Sequence, residues 1–366
     1  MGQPRRGDIV LLIGTRKGGL LLWSDKRRRK WEGGSLFFKG WAVHNMILDP
    51  RHGRRIFGAV NSEWWGSDVR SSTNWGKTWR HSREGVRYAP DSGLSVKRVW
   101  SVAPGPVSEP RVVYAGVEPA GLFRSDDGGL HWAEMAALNR HSSREKWTPG
   151  GGGLILHTIA VDSHEERRIY VAISAAGFFR SDDAGASWKP MNRGLRADFL
   201  PDKFPEVGQC VHKFAAHPSR PDLLYQQNHC GVYRSDSAGD RWTDISRGLP
   251  SRFGFAMALD PHDPQVMYVL PEEGADFRCT VNGKLRVYRT RNGGKSWQPL
   301  SRGLPQKHTY ANVLRDAMAS DSCEPCGVYF GTQGGQVFLS RDRGEHWELL
   351  IDWLPPVLSV SCGEAA

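Results

Sequence analysis

The stretch Arg180-Ser181-Asp182-Asp183-Ala184-Gly185-Ala186-Ser187-Trp188 decides the fold, because it returns around the chain at a nearly constant interval. Arg124 to Trp132 (RSDDGGLHW) and Leu339 to Trp347 (LSRDRGEHW) repeat it closely. Working outward, seven tryptophans, Trp31, Trp79, Trp132, Trp188, Trp242, Trp297 and Trp347, each follow a Ser or Thr by seven residues, at steps of 48, 53, 56, 54, 55 and 50. Three copies are looser: Asn74 and Asn292 replace the Asp in two of them, and Ser237 replaces it in a third. A period near 50 is that of a supersecondary unit that buries its apolar face only against its neighbours.

Within one unit the pattern is constant. An alternating apolar run (HTIAVD, 157–162) precedes a polar turn, and a Tyr-containing run (RRIYVAIS, 167–174) follows. A Gly turn then leads into the motif, and the Trp opens a fourth short run. Period-2 runs separated by turn residues predict one four-stranded antiparallel blade. An aromatic residue of the second run recurs as Phe57, Tyr114, Tyr170, Tyr225, Tyr268 and Tyr329, setting the register independently of the Trp. The chain opens inside a blade and ends on LPPVLSVSC, which reads as the first strand of one. The expectation is an all-β, seven-bladed β-propeller spanning residues 1–366 as one domain, its ring closed by the C-terminal strand joining the N-terminal blade.

Composition agrees with an all-β ring rich in turns: hydrophobic content is 39%, with 42 Gly. No run approaches membrane-spanning length, and MGQPRRGDIVLLIG lacks the small-residue cleavage site of a secretory signal, so a cytoplasmic location is expected. Six Cys are too few and too irregular for a disulfide framework, and Cys323-Glu-Pro-Cys326 lacks a nearby second pair of zinc ligands. The net charge of +10 raises nucleic acid as a partner, but the one dense run, Lys26 to Lys30, is not interleaved with aromatics and reads as a solvated hairpin tip.

The recurring Asp suggests glycosidase carboxylates, yet its copies fall in the hairpins on the outer rim, too far apart to flank one bond. It is read as structural, with the hydroxyl and carboxylate accepting backbone N–H groups, Gly supplying positive φ and Trp packing between sheets. The motif S-x-D-x-G-x-[ST]-W resembles the Asp-box, or BNR repeat, of sialidases, sortilin-type receptors, xyloglucan-degrading enzymes and photosystem II assembly propellers. VEPAGLFRSDDGG, GGGGLILHTI, GQCVHK and QNHCGVYRSD are similar to stretches of bacterial proteins of this length labelled glycosyl hydrolase or sialidase-like. The resemblance implies the fold over nearly the whole chain and little about chemistry. Sialidases need three arginines clamping a carboxylate, the first in Arg-Ile-Pro, with a Tyr–Glu pair and an Asp acid; no Arg-Ile-Pro occurs, and the N-terminal strand offers only Arg16.

In such a ring the first strand of each blade lines the axial channel. Aligned five residues before the Asp-Pro-like turn, those strands present His44, Arg98, His157, His212, Phe255, Arg315 and Val357, while the second-strand ends bring Glu63, Glu118, Asn228 and His229, with Glu272 or Glu273. Long loops at 81–97, 139–153 and 190–209 predict a cap over the second to fourth blades, where Glu118, His157, His212 and His229 would converge. Two chemistries follow. His157, His212 and His229 could hold a divalent metal, or the His and Arg groups could bind an anion, with Glu118 as acid/base, Arg98 and Arg315 as charge clamps and His44, Asn228 and Glu63 contacting the ligand. Trp64 and Trp65 beside Glu63 could stack a sugar. The expected function is a hydrolase or lyase acting on a small or saccharide-like substrate; the alternative is a non-catalytic scaffold whose basic face meets an acidic protein partner.

Overall fold

The computed structural model describes residues 2–366. Their strands form seven four-stranded antiparallel sheets, each a consecutive run of chain except the first. In that blade the last strand, Val357–Glu364, is innermost and pairs with Ile9–Thr15, so the two ends of the chain share a sheet. Ile9 opposes Glu364 and Ile13 opposes Val360, and Gly7 and Ala365 extend the pairing with a further backbone bond. Closure removes the open edge that a six-and-a-half-bladed wheel would expose. No helix is long and apolar enough to cross a membrane.

The repeated turn explains the period. In the fourth blade Ser181 Oγ donates to Asp183 Oδ1 at 2.7 Å and accepts the Gly185 N–H at 2.8 Å, while Asp183 Oδ1 accepts the Ser187 N–H at 2.8 Å. Ala184 and Gly185 take φ of 60° and 91°, which the glycine adopts without steric cost. The Ser187 hydroxyl, donating to Oδ2 at 2.6 Å, and then the Ser187 N–H and the Ser181 hydroxyl hold the Asp183 carboxyl down at about 2. The turn aims the Trp at the adjoining blade. Trp242, 2% exposed, donates its indole N–H to the Met191 carbonyl of the preceding blade, and Trp297 does the same to Ile245. Asn292 keeps the acceptor of the missing carboxylate, taking the Ser296 N–H at 2.9 Å, whereas Ser237 offers only a hydroxyl to the Arg241 N–H at 3.2 Å. The second-strand aromatics Phe57, Tyr114, Tyr170, Tyr225, Tyr268 and Tyr329 are all fully buried between sheets.

One expectation about charge is corrected. In the run Lys26 to Lys30, Arg28 is 5% exposed and enters the seventh blade, where Asp321 and two carbonyls receive it. The first blade keeps Ser24 and Trp31 but not the box, so its turn is free to place Arg28 at φ 56° and dock a guanidinium across the seam.

Candidate functional site

The inner strands are not regular. Pairing slips by one residue between Val43 and Asn45, Val99 and Ser101, Leu156 and Thr158, and Val211 and Lys213, with a related break after Gly254. A bulge of this kind re-aims one side chain per strand. The bulged positions are His44, Trp100, His157 and His212, with Phe255 in the sixth blade and Leu358 opposite the irregularity at Gly14 and Thr15. Arg98 and Val357 are therefore not the equivalents of His44, as the spacing predicted. The turn that matches Asp49-Pro50 in the third blade is Gly105-Pro106, whose N–H bonds Val112 as that of Asp49 bonds Arg55, so counting back from Ala103-Pro104 lands two residues early.

The bulged residues divide into two groups. His157 donates to the Val211 carbonyl of the next blade at 2.9 Å and accepts from Thr158 Oγ1, and His212 Nδ1 donates to the Gly254 carbonyl of the blade after it. Both are buried and held neutral, burial pushing their pKa values well below the ordinary imidazole range. Both nitrogens of His157 are thus engaged inside the protein, and the expectation that it joins His212 and His229 around a metal is not what the geometry presents. His212 and His229 do meet, ring centroids 5.5 Å apart, and their third neighbour is Cys210.

His44, Trp100, Phe255 and Leu358 line a cavity of about 710 Å³ at the axial mouth. Five cationic side chains share it, Arg16, Lys17, Arg98, Arg278 and Arg315, against two carboxylates, Glu63 and Asp316. Asp316 is paired with Lys213. Glu118 stands behind the wall: its Oε2 accepts from Arg98 Nη1 at 3.0 Å and from the Trp100 indole at 3.3 Å, holding both side chains. A Cβ at Gly153, φ 109°, would come within 2.7 Å of Glu118 Oε1, so the glycine run lets the chain close over this carboxylate, with Gly152 reaching the cavity wall. His44 accepts from Asn61 Nδ2 at 2.9 Å, leaving Nε2–H as its free donor, and burial beside Arg98 and Arg16 lowers its pKa to about 3.

Arg315 is the centre of this wall. Its guanidinium lies 5.9 Å from the Trp100 ring and 5.8 Å from Phe255, and Nη1 is shut from solvent with no hydrogen-bond partner among the described residues. Its segment is bolted down from behind by Glu272, a buried carboxylate that accepts Asn312 Nδ2 and the Val313 N–H and whose pKa burial raises to about 7. Glu273 faces outward and accepts the Asn282 N–H. Asn228 is fully buried, joined to Gln226 and to the Cys230 N–H, and does not reach the cavity.

The cavity also sits on a different side from the one expected. Leu138, Trp147, Leu195, Ala197 and Val207 of the long loops are buried. Those loops pack into the protein, and the cavity is lined from the first, second, third, sixth and seventh blades, with Gly152 and Ile155 of the fourth and no residue of the fifth. Trp100 and Arg278 were missed by sequence reasoning; the first is hidden by the bulge, and the second comes from the excursion 272–286 between two strands of the sixth blade.

No family model matches the chain. A xyloglucanase of a Paenibacillus species is 25% identical over 206 residues, 51% of this chain and 18% of the relative. The xyloglucanase of Hypocrea jecorina is 20% identical over 221 residues, 60% of this chain and 23% of the relative. The chain thus spans under a quarter of the length of these curated relatives. Among solved structures, the GH74 enzyme of Niastella koreensis superposes with a TM-score of 0.63 at 18% identity, covering 94% of this chain and 52% of that one. YCF48 bound to D1 peptide superposes at 0.51 and 13% identity, covering 84% and 80%. At these identities the structural likeness is one of fold.

Proposed function

We propose that the protein acts on saccharides, as a hydrolase or lyase, and that its axial cavity takes a carboxylated sugar unit. The observation that carries this reading is Arg315, a half-buried side chain in the wall of a cavity whose cations outnumber its carboxylates, its Nη1 having no hydrogen-bond partner among the described residues. An unpaired buried cation is costly, and a planar carboxylate supplies the two parallel acceptors that a guanidinium fork fits. Arg278, which stacks 5.5 Å from Phe255, is the second clamp, and Arg98, fixed by Glu118, is the third. Glu63 on the wall is the candidate proton-transfer group, and Glu118 positions Arg98 and Trp100.

The rim supports a sugar polymer over a small metabolite. Trp64, Trp65, Tyr310 and Trp353 are 87%, 79%, 62% and 91% exposed, and all four lie in loops that open on the mouth face. Flat exposed rings around a polar pit suit the apolar faces of successive pyranose rings. The xyloglucanase likeness points to saccharides, and the cationic wall shifts the expected ligand from a neutral glucan to an acidic one.

Calorimetric titration with oligogalacturonide, neutral xyloglucan oligosaccharide and an acidic peptide tests this. Binding of the first alone is expected, with Arg315→Met weakening it roughly tenfold or more. Product release is followed as reducing ends for hydrolysis and as unsaturated-product absorbance for elimination. Equal binding of neutral and acidic sugars would overturn the carboxylate clamp, and preference for the peptide would favour the scaffold reading.

A further inference from the structure

We infer that Cys210, His212 and His229 form a three-ligand site for a thiophilic metal ion of the zinc(II) type, separate from the saccharide cavity. Their ligand atoms all lie within 4.8 Å of one another. A tetrahedral zinc ion with one sulfur and two nitrogens needs its donors about 3.5 Å apart, so the set closes on an ion by side-chain rotations of about 1 Å. The backbone already holds the frame: Cys210 and His212 flank Val211 on a bulged inner strand, Val211 pairs with Asn228, and the His229 N–H bonds the Cys210 carbonyl at 2.9 Å.

The two imidazoles each present a free nitrogen, and Cys210 presents a thiol. His212 Nδ1 donates to the Gly254 carbonyl at 2.6 Å, which leaves the Nε2 lone pair free and fixes the ring plane, the usual arrangement behind a metal-bound imidazole. Neither ring nitrogen of His229 makes a hydrogen bond among the described residues, and the ring rests against Phe199 and Phe253, each 5.1 Å away, and His212 at 5.5 Å. Among the described residues the hydrogen-bond partner of Cys210 Sγ is Ser174 Oγ, at 3.4 Å, and that hydroxyl or a water can complete the shell. Two nitrogens and a thiolate select borderline-to-soft ions over magnesium or calcium. Burial pushes the Cys210 thiol up, with Ser174, Arg315 and Arg278 offsetting it only in part, so the ion itself has to displace the proton. On binding, the S–H proton leaves to solvent as the sulfur–metal bond forms, so uptake strengthens as pH rises.

Metal-free full-length protein is titrated with zinc(II) against a colorimetric chelator, and with cobalt(II) followed by absorption. The expected result is about one equivalent of each. The cobalt form should show a thiolate-to-metal charge-transfer band and tetrahedral d–d bands. Cys210→Ser should abolish the charge-transfer band, and His229→Gln, at a half-exposed turn, should weaken uptake while circular dichroism stays unchanged. Cys323→Ser and Arg315→Met should keep the full signal; the latter separates this site from the carboxylate clamp, whose failure would leave metal uptake intact. Absence of stoichiometric uptake by the wild type, or an undiminished cobalt spectrum in folded Cys210→Ser or His229→Gln, would overturn the assignment.

Discussion

Arg28 Nη1 lies 2.9 Å from Asp321 Oδ2, an ion pair between the first and seventh blades whose side chains are 5% and 1% exposed. Asp321 also accepts the Tyr329 hydroxyl at 2.7 Å and the Gly327 and Cys323 N–H groups. The carboxylate is therefore compensated even without the arginine, whereas Arg28 depends on it for its charge. Asp321→Ala should lose on the order of 3–5 kcal/mol in urea unfolding, and Arg28→Met clearly less. The double variant should lose less than the sum of the two. Equal losses for the two single variants would contradict this account of the seam.

Arg315 carries the opposite balance. On the proposed reading Arg315, whose Nη1 has no hydrogen-bond partner among the described residues, serves the ligand and not the fold. Arg315→Met replaces the guanidinium beside Trp100 and Phe255 with an apolar side chain and should leave the melting temperature unchanged or raise it. A large fall in melting temperature would show that the cation is structural.

Acid sensitivity follows from the imidazoles of the inner strands. His44 goes from an ordinary 6.5 to about 3 on folding. Between these values the unfolded chain binds a proton that the folded chain does not, so its contribution is complete above pH 6.5 and is lost as pH falls toward 3. His157 and His212 act in the same direction. Unfolding free energy should drop between pH 6.5 and 5, and His44→Gln should reduce that slope by up to about 1.4 kcal/mol per pH unit. A slope unchanged in the variant would remove His44 from the cause.

The looser fifth turn can be repaired. Ser237 stands where Asp183 and Asp342 accept a backbone N–H at 2.8 and 2.9 Å. Ser237→Asp should shorten the 3.2 Å bond from the Arg241 N–H and add about 0.5–1.5 kcal/mol, read as a higher melting temperature. A destabilised variant would mean that this turn cannot relax onto the carboxylate.

The site was legible in its ingredients more than in its arrangement. His44, Arg98, Arg315 and Glu63 line one cavity, although Arg98 stands two residues from the position equivalent to His44, because inner strands and second-strand ends meet at the axial mouth. His157, His212 and Asn228 face inward instead. The two histidines find a carbonyl of the next blade, a choice that depends on a one-residue slip invisible to spacing, while Asn228 bonds Gln226 and the Cys230 N–H within its own blade. Glu118 was expected to work on a ligand, and it braces Arg98 and Trp100.

The amino-acid order alone determined the number of blades and the buried aromatic of six second strands, since both are written locally and repeated, and with that register known it also determined the pairing of the chain ends. Tertiary structure decided which polar groups face the axis, which loops fill space and which leave it open, and that Arg28 crosses the seam. Those outcomes depend on bulges and on contacts between blades more than 50 residues apart in sequence, such as His157 with Val211, where a local pattern carries no record of its partner.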